Sequence, residues 1–334
     1  MQQVLKQLIE HRSLSKEQAK EIILGIGEDN YAAPEIVGLM VALQTRTLTL
    51  EEIKGFREAL LELSIQPKID PVNAIDLCGT GGDGKNTFNI STTTAFVLAS
   101  MGYRVIKHGN YGVSSLCGSS NVLEELGVNF TAESTELNNQ LKKTNLCFLH
   151  APLFHPVMKK VAPLRKELGI PTFFNIMGPL VNPVQPDFQL TGTFNLNIAR
   201  LYHHVLQGER KNYNVIYSLD GYDEISLTGD TRVFGKYEDY IFNAQKLTID
   251  PLNKEDLYGG NTPNEAGTIL TNVLKGKGTQ AQHHVIASNV TNAIKIFDVK
   301  LETKAVFQSA LAHIQSGKAF THFQKFLTLQ KQTA

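Results

Sequence analysis

The sequence predicts an α/β protein with a largely parallel central sheet, preceded by a small all-helical domain. Three observations carry that reading. Residues 2 to about 65 show helical punctuation only. Beyond Pro67 and Pro71 the texture changes to short apolar runs alternating with helix-length segments, as in parallel strands joined by helical crossovers. The first of those runs, residues 74–78, ends in a glycine-rich loop that opens directly on a helical segment.

In the N-terminal region Val4, Leu5, Leu8 and Ile9 recur at helical spacing. Ser15-x-x-Gln18 and Thr49-x-x-Glu52 have the form of capping boxes, and Pro34 suits a first helical turn, where its missing NH costs nothing. Pro67 and Pro71 bracket a linker, dividing a helical domain over residues 1–66 from an α/β domain over 72–334. In the second domain strands are expected at 74–78, 103–107, 146–149, 214–219 and 268–271, and helices at 90–101, 119–126, 155–168, 196–208 and 301–316.

Composition narrows the function classes. Of the 334 residues, 42% are hydrophobic and 19% charged, the proportions of an ordinary globular protein. Lys+Arg and Asp+Glu are equal at 32 each, so the chain lacks the basic excess of a nucleic-acid binder. Cys78, Cys117 and Cys147 have neither zinc spacing nor an even count for disulfides. No apolar run approaches the length of a membrane span and the N-terminus has no signal-peptide core, so no membrane partner and a cytoplasmic location are expected.

The most informative stretch is Asp76-Leu-Cys-Gly-Thr-Gly-Gly-Asp-Gly-Lys-Asn-Thr-Phe-Asn-Ile-Ser-Thr92. Glycines at 79, 81, 82 and 84 let a ligand approach the backbone closely, and the helix start near Asn89–Thr92 offers unpaired amides at the positive end of the helix dipole. This is an anion cradle, and a phosphorylated ligand is its natural occupant. Gly79-x-Gly81-x-x-Gly84 also fits a dinucleotide fingerprint, but the acidic residue wanted about 20 positions on is replaced by the basic-ended Tyr103-Arg-Val-Ile-Lys-His108. Gly79-x4-Gly84-Lys85 approaches a Walker A loop, yet Asn86 stands where a magnesium-binding hydroxyl is required.

Lys107-His-Gly-Asn-Tyr-Gly-Val-Ser-Ser115, with Ser119 following, repeats the logic of strand, Gly/Ser loop and helix. On a neighbouring strand it would meet the first loop at the C-terminal sheet edge, where open α/β folds bind ligands. Asp223-Glu224 follows the apolar run 215–219; adjacent carboxylates repel, and they suit either magnesium or a solvated turn. Arg165 lies at the border of a stripe formed by Val157, Val161, Leu164 and Leu168, placed to offer a planar fork to a carboxylate or to remain an ordinary surface arginine. No Ser/His/Asp elbow is present, and His108, His150 and His155 show no metal spacing.

Gly79-Thr-Gly-Gly-Asp-Gly84, Asn89-Ile-Ser-Thr92, Lys107-His-Gly-Asn110, Arg165, Phe174-Asn-Ile-Met-Gly-Pro-Leu-Val-Asn-Pro183 and Asp223-Glu224 together closely resemble the anthranilate phosphoribosyltransferases of tryptophan biosynthesis. Motif order and spacing agree over nearly the whole chain. The resemblance implies the nucleoside phosphorylase/phosphoribosyltransferase-like fold, a helical domain completed by a segment near 165–185, a homodimer, and transfer of a phosphoribosyl group from 5-phosphoribosyl 1-pyrophosphate to anthranilate. Position by position it implies that Gly79, Gly82, Asp83, Thr87, Asn89, Ile90, Ser91 and Thr92 hold the phosphoribosyl pyrophosphate. Lys107, His108, Gly109, Asn110, Tyr111, Gly112, Val113, Ser114, Ser115 and Ser119 would complete that site. Ser91, Asp223 and Glu224 would bind two magnesium ions per monomer. Gly79, Asn110 and Arg165 would contact anthranilate, and Lys107, Arg165, Asp223 and Glu224 would carry the catalytic burden.

Departures from the usual pattern are Tyr111 in place of a basic residue, Leu116 and Cys117 where Lys and Ser are frequent, and Asn121 for Asp. A pyrimidine nucleoside phosphorylase shares this architecture without needing the acidic pair or the arginine. A non-catalytic nucleic-acid-binding relative would need a basic groove that the charge balance does not offer.

Overall fold

Four helices open the chain: α1 (Gln2–Ile9), α2 (Lys16–Gly27), α3 (Ala33–Gln44) and α4 (Leu50–Glu62). The structure, a computed structural model, describes residues 1–69, 73–112 and 117–331. Local chemistry explains the helix starts. Ser15 Oγ accepts from Gln18 N at 3.2 Å while Gln18 Oε1 accepts from Ser15 N at 3.0 Å, and Thr49 and Glu52 make the same reciprocal pair. Pro34 sits in the first turn of α3, as its fixed φ favours.

The chain continues through β1 (Ala74–Leu77), α5 (Ile90–Ser100), β2 (Arg104–Gly109), α6 (Ser119–Glu125), α7 (Ser134–Thr144) and β3 (Leu146–His150). Next come α8 (Ala151–Phe154), α9 (Pro156–Leu168) and 3-10 turns at Phe173–Ile176 and Gly178–Leu180. After β4 (Phe188–Gly192), α10 (Leu196–Gln207) and β5 (Asn212–Ser218), a hairpin of β6 (Thr231–Gly235) and β7 (Asp239–Phe242) leads to α11 (Pro263–Leu274), α12 (Gln280–Phe297), α13 (Thr303–Gln315) and α14 (Lys318–Lys331).

Two compact units result. The helical unit joins Met1–Pro67 to Ala151–Gln185, so the returning segment starts earlier than the expected 165. Within it, α9 packs on α2 and α3, Phe56 meets Phe173 at a ring separation of 4.6 Å, and Arg57 donates from Nε to the Leu180 carbonyl at 2.8 Å. The α/β unit comprises Lys68–His150 and Pro186–Ala334. Among the described residues its strands form one sheet in the order β3-β2-β1-β4-β5-β6-β7, parallel from β3 to β5 and antiparallel beyond. Nearly all of α5 is buried in the core of this unit, along with much of α12.

The sequence reading errs at several strands. Residues 268–271, read as a strand, lie inside α11, whose start is marked by Thr262 Oγ1 accepting from Glu265 N at 3.2 Å and by Pro263 in the first turn. Strands β4, β6 and β7 were not foreseen. In β4 the polar Gln189 and Thr191 are fully buried, because Arg210 Nε donates to Gln189 at 3.1 Å and Thr191 donates to the Cys78 carbonyl at 2.6 Å. Satisfied polar groups of this kind mask a buried strand from any apolar count. Pro71, one bracket of the expected linker, lies outside the described residues.

Candidate active site at the sheet edge

After β1 the chain crosses to β2 and β3 on one side; after β4 it continues to β5 on the other. The crevice at the C-terminal ends of β1 and β4 is therefore a topological switch point, the usual ligand position in an open α/β sheet. Gly79 follows β1, and Gly192 ends β4. A Cβ on Gly79 would lie 2.5 Å from Asp223 Oδ2, and one on Gly192 would run into the Asp223 carbonyl oxygen. Asp223 reaches this crevice because both strand ends lack side chains.

The first loop is held open by its own geometry. Gly81, Gly82 and Gly84 all adopt positive φ, at 61°, 77° and 68°, a region in which a side chain is strained. Asp83 Oδ1 accepts from Lys85 N at 2.9 Å, and Thr87 pairs with Tyr258 in an isolated bridge. Asn86 Nδ2 donates to the Gly260 carbonyl at 3.1 Å, so the far end of the loop is anchored before α5 begins. Ile90 and Thr92 in the first turn of α5 are about 1% exposed, and Ile90 N donates to the Phe88 carbonyl at 2.6 Å, so both side chains serve the core rather than the crevice.

Acidic groups crowd the same place. Asp223 Oδ2 accepts from Gly81 N at 2.7 Å, and Glu224 Oε1 accepts from Ser91 N at 3.2 Å. Burial, and then the neighbouring Asp83 carboxylate, push the Asp223 pKa up to about 7. Burial and then Asp223 push Glu224 up to about 8, against the opposing pull of Lys107. Asp83 is also raised, chiefly by burial. Lys107, 2% exposed, donates to Ser91 Oγ at 3.2 Å and to the Leu77 carbonyl.

Among the described residues no three His, Cys, Asp or Glu side chains are grouped to cage a metal. Magnesium does not require such a cage, since it ordinarily takes one or two carboxylates together with waters and substrate phosphates. The Asp223 and Glu224 carboxylates, with the Ser91 hydroxyl close by, supply hard oxygen donors and an excess of negative charge that a cation would relieve. The residues fit the ion.

The second loop meets the first at the neighbouring strand. Gly109 ends β2, and a Cβ there would stand 2.7 Å from Ser119 Oγ and strike the Phe148 ring. The Asn110 carbonyl accepts from Ser119 Oγ and from Ser120 N, each at 3.2 Å, tying the loop to the start of α6. Asn89 Nδ2 donates to the Cys117 carbonyl at 3.3 Å, linking the two cradles. His108 is buried at 2% exposure, and its NH donates to Asp76 Oδ1 at 3.0 Å. Tyr111 points its hydroxyl to Glu124 at 2.6 Å, and Asn121 Oδ1 accepts from Gly112 N at 3.0 Å and Gly118 N at 3.1 Å. Val113, Ser114, Ser115 and Leu116 lie outside the described residues.

Arg165 belongs to the helical unit, on the last turn of α9. Its guanidinium donates to Asn175 Oδ1 at 3.1 Å and lies 5.8 Å from the centre of the Phe174 ring. Burial lowers its pKa. Lys159, Lys160 and Lys166 on the same helix are at least partly exposed.

The structure thus brings Gly79, Asp83, Ser91, Lys107, Asp223 and Glu224 to one sheet edge, with Asn89, Asn110 and Ser119 at the adjoining loop. Sequence reasoning did not single out Gly192. Its signal was available only through recognition of β4, a strand that the alternation of Phe188, Leu190 and a final glycine marks weakly.

The comparisons with known proteins agree with this geometry. Residues 71–320 match the glycosyl transferase family a/b domain, and residues 2–64 match the glycosyl transferase family helical bundle domain. The chain is 46% identical over 331 residues to an anthranilate phosphoribosyltransferase of Christiangramia forsetii, covering 99% of this chain and 100% of that one. The chain belongs to the anthranilate phosphoribosyltransferase family. A second member, from Flavobacterium johnsoniae, is 44% identical over 98% of this chain and 99% of its own. The crystal structure of the family member from Thermus thermophilus superposes with a TM-score of 0.90 at 29% identity, covering 98% of this chain and 99% of that one. The fold is shared as well by the Saccharomyces cerevisiae anthranilate phosphoribosyltransferase solved in complex with PRPP and Mg, with a TM-score of 0.88 at 24% identity and 98% and 97% coverage. Nucleoside phosphorylase and nucleic-acid-binding readings fall away at this point.

Proposed function

We propose that this chain transfers the phosphoribosyl group of 5-phosphoribosyl 1-pyrophosphate to the amine of anthranilate, giving N-(5-phosphoribosyl)anthranilate and pyrophosphate in tryptophan biosynthesis. The observation that carries the proposal is the convergence of a left-handed glycine loop, the start of α5 and an acidic corner at the switch point of the sheet. It occurs in a chain whose relatives bear that activity in their names over their full length.

In this reading Gly79, Gly82, Asp83, Thr87 and Asn89–Thr92 hold the donor, with the loop from Lys107 to Ser115 and Ser119. Asp223, Glu224 and Ser91 hold two magnesium ions, which when bound neutralise charge developing on the departing pyrophosphate. The remaining work falls to the chain itself. With Gly81 N on Asp223 and Ser91 N on Glu224, it is the other amides of the glycine loop and of the start of α5 that receive phosphate oxygens, from a main chain whose path is set before reaction. Lys107 is held beside Ser91, where its charge faces the same anion. The nitrogen lone pair of anthranilate forms the new bond at the anomeric carbon, the carbon–oxygen bond breaks with its electrons leaving on pyrophosphate, and the nitrogen then sheds a proton. An aromatic amine is uncharged at neutral pH, so no strong base has to prepare it. Arg165 takes the carboxylate of anthranilate, with Gly79 and Asn110 as its other contacts, and supplies the positioning.

The chain is proposed to act as a cytoplasmic homodimer through its helical unit. Exposed apolar residues Ile9 on α1 and Val41 on α3 support that interface. Among the described residues no helix is long and apolar enough to cross a membrane.

Loss of anthranilate fluorescence with both substrates, followed with and without magnesium, tests the activity. Turnover that requires the ion and yields one pyrophosphate per anthranilate is expected. Phosphorolysis of thymidine or uridine in place of that reaction would reject the reading.

A further inference from the structure

The Arg165 guanidinium donates to an uncharged amide, the Asn175 side chain. The same Asn175 Oδ1 accepts from Thr172 N at 2.9 Å and from Thr172 Oγ1 at 3.4 Å, so one oxygen receives three donors. The Asn175 side chain closes the start of the 3-10 turn at Phe173–Ile176, and that turn is fixed by the stacking of Phe173 on Phe174 at 4.1 Å and by the tilted contact of Phe173 with Phe56. Elsewhere in the same unit Arg46 is treated differently, its fork closing on the Glu52 carboxylate. Among the described residues no ion pair includes Arg165.

We infer that Asn175 is a positioning residue for the acceptor substrate: it aims the Arg165 guanidinium through a neutral oxygen and thereby leaves the full positive charge for an aromatic carboxylate. The inference rests on the reading of Arg165 as the carboxylate-binding group. A carboxylate at position 175 would orient the arginine as well and bond it more strongly. It would also neutralise the charge and compete with the substrate for the fork. Charge balance, rather than hydrogen-bonding capacity, therefore selects asparagine over aspartate here.

Asn175→Asp tests this, because it keeps the acceptor oxygen and the turn closure while adding one negative charge. The expected result is a rise of about tenfold or more in KM for anthranilate, with KM for the phosphoribosyl donor within about twofold and the thermal midpoint retained. That factor is the loss of one charge-assisted contact. Asn175→Ala, which frees the guanidinium without neutralising it, should raise KM for anthranilate several-fold and also spare the donor; it carries the test if the aspartate variant does not fold. Equal rises in both KM values, or an anthranilate KM within about twofold of the parent in both variants, would overturn the inference. Arg165→Ala separates the two levels. If it raises KM for anthranilate while Asn175→Asp does not, only the positioning role fails; if it leaves that KM unchanged, the carboxylate assignment fails and the inference with it.

Discussion

Glu52 and Glu224 occupy comparable positions in the two units, each accepting from main-chain NH groups at a helix start. Burial raises the pKa of both. At Glu52 the Arg46 fork and the Thr49 and Leu14 amides outweigh that cost, and its pKa ends below the ordinary value. At Glu224 the Asp223 carboxylate adds to that cost, Lys107 offsets only part of it, and the pKa climbs to about 8. The first arrangement is complete and serves the fold. The second is left short of positive charge, which costs stability and makes sense when a cation and an anionic substrate complete it. Arg165 shows the converse in the helical unit, a cation that forms no ion pair among the described residues.

The largest loss is expected at the acidic corner. Replacing Asp223 and Glu224 together by Asn and Gln should reduce kcat by roughly a thousandfold or more, the scale on which electrostatic groups of an active site act. Full magnesium-dependent turnover in that variant would remove the metal assignment. Gly79→Ala comes next. Its new methyl would push the Asp223 carboxylate aside, and a displacement of about 1 Å is worth about a hundredfold in rate. A rate within about threefold of the parent would show that the close approach of Gly79 to Asp223 is not needed for catalysis.

Glu52→Ala should act on stability instead, costing roughly 3–5 kcal/mol by stranding Arg46 while leaving kcat intact at temperatures where the protein is folded. A fall in kcat with an unchanged denaturation midpoint would erase the distinction between the two glutamates. The two glutamates differ in pH dependence as well. With raised native pKa values Asp223 and Glu224 hold protons that the unfolded chain has lost, so stability without magnesium should fall as pH rises from the ordinary carboxylate range to about 8. Glu52 has the opposite sign, since its contribution disappears only as pH drops through its lowered native value. Melting curves from about pH 5 to 9 should slope downward for the parent and flatten for the Asn/Gln double variant.

Much of this was legible in the sequence, because the informative residues are local. Four glycines within six positions fix the hand of a loop whatever surrounds it, and Ser15, Thr49 and Pro34 specify helix starts through contacts a few residues away. What escaped depends on partners distant in sequence. Residues 188–192 read poorly as a strand because Gln189 and Thr191 are polar, and only Arg210 and the Cys78 carbonyl make their burial tolerable. Residues 268–271 carried strand-like composition, yet the cap at Thr262 decides for helix. Gly192 and Asn175 become meaningful once Asp223 and Arg165 are seen against them.

The divided make-up of the helical unit has a consequence for synthesis. Helices α2 and α3 pack on α9, which lies beyond the first three strands of the other unit. A ribosome adding about 5–20 residues per second leaves the emerging N-terminal bundle without that cover for roughly ten seconds. During that interval its apolar flank is open to chaperones that meet nascent chains or to the bundle of another such chain, so slowing translation ahead of residue 151 should lower the yield of native protein more than an equal delay after residue 185.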